Sequence, residues 1–65
     1  MAGTYYTMVV KYGDRWGPEF GDYERQVVLD QIIDEYPDAT PNEVRMVVSK
    51  DDQKSIDAAI ALLNK

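Results

Sequence analysis

Two adjacent carboxylate pairs, Asp34-Glu35 and Asp51-Asp52, are the residues best suited by type to acid–base chemistry. Neighbouring side chains on a helix diverge instead of converging, whereas two-carboxylate hydrolysis needs them facing each other across a cleft. Asp34, Glu35 and Asp38 offer oxygen ligands, yet nothing in their spacing matches an EF-hand or a comparable cation loop. Gly13-x-x-x-Gly17 lacks the Lys-Ser/Thr ending of a phosphate-binding loop. The chain has no histidine and no cysteine, which removes zinc sites, thiol chemistry and His-dependent nucleophiles together. No catalytic, cofactor-binding or metal-ligating residue is therefore assigned, and a non-enzymatic protein is expected.

The charge distribution is more informative. From Asp22 to Asp38 six acids (Asp22, Glu24, Asp30, Asp34, Glu35, Asp38) stand against a single base, Arg25, and this window carries the whole net charge of −5. Acids and bases are matched in number over the rest of the chain. Such a body repels nucleic acid and attracts basic surfaces.

Sixty-five residues make one domain, expected to span 1–65, and a chain this short hides only ~60% of the surface its unfolded form exposes. Its stability should amount to a few kcal/mol. No run approaches the ~20 apolar residues that span a bilayer, and the N-terminus has no signal-peptide pattern. Together with the lack of cysteine, this reads as a cytoplasmic protein.

The elements that must position these residues follow from periodicity. Thr4 to Tyr12 alternates as a strand, with Tyr6, Met8, Val10 and Tyr12 on one side and Tyr5, Thr7, Val9 and Lys11 on the other. Gly13-Asp14 is a turn signal, and Arg15 to Phe20 either returns as a strand or remains a loop; Pro18 confines such a strand to an edge. Asp22 is the expected cap of a helix running to about Tyr36, with Val28, Leu29, Ile32, Ile33 and Tyr36 on its buried face. Val44 to Lys50 alternates again as a strand. Ser49 or Asp51 then caps a second helix, buried through Ile56, Ala59, Ile60 and Leu63. The predicted fold is a small α/β (α+β) two-layer sandwich of order β-(β)-α-β-α. Its two main strands would be parallel neighbours, with both helices on one face. The uncovered face would carry Tyr5, Val9, Lys11, Arg45 and Val47, apolar enough to support a homodimer. An RNA-binding use of that face is disfavoured by the acidic charge and by the lack of an aromatic in Val44 to Lys50.

Two segments are candidates for contact with a partner. Trp16, Glu19 and Phe20 lie in an aromatic, glycine-rich stretch between strand and helix, where they serve either as an interface or as the roof of a small core. Tyr23, Val27, Asp30 and Asp34 share the outward face of the first helix, and Asp38 follows it. Asp30 and Asp34 are like charges one turn apart, which costs a helix a few tenths of a kcal/mol. Acids at ~5–6 Å intervals along such a face can stand in for a row of phosphates.

The stretch from Trp16 to Arg25, with the run Asp51-Asp52-Gln53-Lys54-Ser55-Ile56-Asp57-Ala58-Ala59-Ile60-Ala61-Leu62-Leu63, resembles small accessory proteins of tailed bacteriophages. That resemblance implies binding to a host enzyme or defence complex within the host cytoplasm. Some such proteins imitate DNA, although no motif of the uracil-DNA glycosylase inhibitors or anti-CRISPR families occurs here. The expected partner is a host protein with a basic surface, with no direct contact to nucleic acid or membrane and no cofactor.

Overall fold

The computed structural model describes residues 3–65. Met1 and Ala2, which begin the stretch tested for a signal peptide, lie outside the described residues. The elements are β1 (Thr4–Tyr12), β2 (Arg15–Asp22), α1 (Arg25–Glu35), β3 (Val44–Lys50) and α2 (Gln53–Leu63). They form a three-stranded antiparallel sheet of order β2-β1-β3 with two helices, the small α+β class expected. No helix among the described residues is long and apolar enough to cross a membrane.

The second strand is real and lies at an edge, where Pro18 needs no ladder partner. Gly13 makes the reversal possible, since its φ of 67° is the positive angle that a type II′ hairpin turn demands of its first central residue. Opposite Met8 and Val9 the register slips, leaving Glu19 unpaired between Phe20 and Pro18 as a β-bulge. Gly21 gives room to the Tyr5 ring: a Cβ there would stand 2.5 Å from the Tyr5 hydroxyl oxygen.

The hairpin corrects the expectation of a parallel pair. Once β2 has reversed the chain, α1 carries it back to run beside β1 in the direction of β2, so β3 is antiparallel to β1. The strands related by the crossover are β2 and β3, parallel to each other with β1 between them.

A second correction concerns the helices, which do not share a face. Met8 and Val10 pack with Val28 of α1 and Val44, assisted by Tyr6, Phe20, Ile32, Tyr36 and Met46. Val9, on the other side of β1, packs with Trp16 and with Ile56, Ile60 and Leu63 of α2. Each helix thus makes its own two-layer contact with the sheet, and β1 is covered on both sides. Met8 is 1% exposed and Val9 0%. The physical reason lies in β1 itself: both of its faces carry apolar side chains at the centre of the strand, Met8 and Val10 on one and Val9 on the other, and a short sheet can bury both only by placing one helix on each. The apolar face expected to be open, carrying Val9 and Val47, is the one α2 covers.

α2 is tied to the sheet edge by one side chain. The Asn64 amide accepts from the Trp16 N–H at 2.6 Å and donates to the Trp16 carbonyl at 3.1 Å, occupying the outward peptide groups of β2 much as another strand would. Asn64→Ala should cost about 1–2 kcal/mol through the loss of both bonds. A lowered urea midpoint at unchanged m-value would show it.

Candidate functional site

Both helix starts differ from the expected caps. Asp22 ends β2, and its carboxylate accepts from the Glu24 N–H at 2.9 Å, closing the turn into α1 instead of capping it. Glu24 holds the N-cap position with no side-chain bond. At α2 the cap is Asp52, not Ser49 or Asp51: it accepts from the Ser55 N–H at 2.8 Å and the Ser55 hydroxyl at 3.0 Å. These bonds, the backbone one first, hold the Asp52 carboxyl below its ordinary 3.8.

A carboxylate with a depressed folded-state pKa adds stability above its unfolded pKa and loses it as the pH falls through the folded value. Asp52→Asn keeps a capping oxygen but cannot titrate. Its stability at neutral pH should stay close to that of the parent chain, while its decline below about pH 4 becomes shallower. Denaturant unfolding at stepped pH measures both.

The acidic face is assembled on α1. Val28 is fully buried, Leu29, Gln31 and Ile32 are half-buried, and Val27, Asp30, Ile33 and Asp34 are exposed. Ile33, expected inside, is 65% exposed. At 100° per residue it lies about 140° from Val28, and the buried arc is centred on Val28 and Ile32, leaving Ile33 beyond its margin. Asp30 accepts from the neutral Gln26 amide at 2.9 Å, and Glu35 from Gln31 at 2.5 Å. Tyr23, 60% exposed, stands edge-on to Tyr5 at 5.1 Å and 79° just before the helix. Asp38 is exposed beyond its end. Of the eight anticipated residues, Val27, Asp30 and Asp34 therefore share the exposed face of α1, with Ile33 beside them, whereas Tyr23 and Asp38 are exposed outside the helix and the Tyr23 ring packs against Tyr5, on the sheet face that α2 covers.

The other three behave differently. Trp16 is 8% exposed and sits in the α2-side core, with Lys11 Nζ 5.8 Å and the Arg45 guanidinium 5.0 Å from its ring centroid. Its register position on β2 turns it under α2, into the core. Phe20 is half-buried against the α1-side core. Glu19, in the bulge, is exposed but engaged: Tyr12 donates its hydroxyl to one carboxylate oxygen, and the Tyr36 hydroxyl lies 3.1 Å from both. Desolvation, then the bond to Glu19 and the charges of Glu19 and Glu35, raise the Tyr36 pKa above its ordinary 10.0. Glu19 and Phe20 also line a cavity of about 290 Å³ beneath the α2 N-terminus. Thr7, whose hydroxyl is buried without a partner, forms part of its wall.

The exposed face of α1 sets two apolar side chains, Val27 and Ile33, beside Asp30 and Asp34. Comparison with protein-family models, curated proteins and solved structures yields no match.

Proposed function

We propose that this chain is a non-enzymatic interaction module that binds a basic protein surface through the exposed face of α1. The observation that carries the reading is that, although Asp22 and Glu24 stand at the favourable N-terminal end of α1, more acids are gathered at its C-terminal end. Its first turn holds no acid and its last turn no base, while Asp34, Glu35 and Asp38 crowd the end where the helix dipole is already negative. Asp30 and Asp34 repel each other one turn apart. Solubility alone needs none of this, since the same acids moved to the N-terminal turn would solubilise equally well and favour the helix. Val27 and Ile33 lie beside these acids and would supply the apolar part of a contact whose aspartates pair with Lys or Arg. The resemblance to tailed-phage accessory proteins makes a host protein the natural target, with the acid row in the place of DNA phosphates.

The α2-covered sheet face argues against the alternative, an assembly protein dimerising through open sheet. Charge reversal tests the proposal. Asp30→Lys with Asp34→Lys should keep the circular dichroism spectrum and an unfolding midpoint no lower than the parent's, because both side chains are exposed and a cation at position 34 suits the helix dipole. Capture of a basic partner from lysate, strong at low salt and weakened at high salt, should disappear. Undiminished capture by the variant would remove α1 from the interface.

A further inference from the structure

The two edges of the sheet are treated very differently. Along β2 the outward backbone is blocked three times, by Pro18, by the bulge at Glu19 and by the Asn64 amide on Trp16. Each is a recognised device against edge-to-edge pairing. Along β3 there is neither proline nor bulge: Val44–Lys50 contains no proline, and its register with β1 runs without interruption from Thr4↔Lys50 to Val10↔Val44. Of its two cations, Arg45 is turned away, since its Nε donates to the Pro41 carbonyl and its guanidinium lies over Trp16, and Lys50 stands only at the last position of the strand.

Which backbone groups of β3 face outward follows from the ladder. The Lys11 N–H bonds to the Glu43 carbonyl, so Glu43, Arg45, Val47 and Ser49 point their peptide groups at β1 by alternation. Val44, Met46, Val48 and Lys50 point theirs away. The Val44 N–H is taken up by the Thr40 carbonyl. No partner among the described residues meets Met46 or Val48, and Val48 is also 55% exposed.

We propose that this edge pairs with the β3 edge of a second copy, antiparallel about a two-fold axis at Val47. In that register Met46 and Val48 exchange both backbone bonds with Val48 and Met46 of the other copy, and the Lys50 N–H reaches the free Val44 carbonyl. Side chains agree: Val47 meets Val47, Val48 meets Met46, and the cations Arg45 and Lys50 fall opposite Ser49 and Val44, never opposite each other. The contact is self-complementary and closed. It makes one six-stranded sheet whose remaining edges are the two blocked β2 strands. α1 lies mainly over β1 and β2, so the acidic helices stay away from the seam, both on the same side of the joined sheet.

Sedimentation of the full chain across a series reaching about 1 mM should show a monomer–dimer equilibrium insensitive to salt, which separates it from association through the acidic face. Val48→Pro removes an N–H that the fold itself does not use, at an edge position where proline is tolerated. It should weaken the dimer about tenfold or more, with the circular dichroism spectrum retained. Val48→Lys, at the same exposed position, provides the same reading if the proline variant misfolds. A chain that stays monomeric throughout, or a dimer that both variants leave intact, overturns the proposal; so does a dimer lost with Asp30→Lys and Asp34→Lys and kept with Val48→Lys.

Discussion

Trp16→Ala should leave the chain largely unfolded at room temperature. Removing a buried tryptophan costs about 3–5 kcal/mol through lost burial and the cavity that remains, and a chain of this length has only a few kcal/mol of stability to lose. The site cannot collapse easily to fill the gap. Val9 and Ile60 are held by the central strand and by α2, and Lys11 and Arg45, which lie over the indole, would lose that face. The measurement is far-ultraviolet circular dichroism with urea unfolding, and it separates the two roles this residue type can take. An interface tryptophan on a folded surface would give a stable variant that no longer binds. Trp16→Ala should instead lose the fold, with Trp16→Phe recovering a good part of it by refilling most of the volume.

The second large effect distinguishes two aliphatic residues of one helix. Val28→Gln places an amide where the parent side chain is fully buried between α1 and Met8, Val10 and Val44. It forfeits the valine's burial and leaves a polar group without a partner, a cost of about 3–5 kcal/mol. Ile33→Gln, at a site open to solvent, should stay within about 0.5 kcal/mol of the parent. Under the proposed function the same Ile33→Gln change weakens partner capture, because it removes an apolar contact from the acidic face. Parallel urea titrations compare the two variants directly, and equal destabilisation would contradict the burial assigned to α1.

Hydrophobic periodicity in the chain was enough to establish four of the five elements, all but β2. The alternation of Thr4–Tyr12 and Val44–Lys50, and the helical spacing of Ile56, Ala59, Ile60 and Leu63, are local signals that survive folding because each records which side of an element meets water. The confinement of Pro18 to an edge was legible for the same reason, since a missing N–H is a property of the residue itself. So was the acidic face of the first helix: Asp30 and Asp34 lie opposite Val28 whatever the helix packs on.

Three features only the tertiary structure decided. Strand direction depended on whether Arg15 to Asp22 turned back as a strand, a matter of hairpin pairing between residues that periodicity treats separately. The side on which each helix lies was undetermined because β1 is apolar on both faces, so Val9 and Met8 each ask for cover and the sequence does not say which helix provides it. The fate of Trp16 and Ile33 followed from these choices. A tryptophan beside glycine and proline reads equally as surface or core until α2 is seen to lie over it, and a residue at the margin of a helical stripe is inside or outside according to the tilt of the helix. Local chemistry thus specifies what each segment can bury, and the competition among segments for a single short sheet settles what each one does bury.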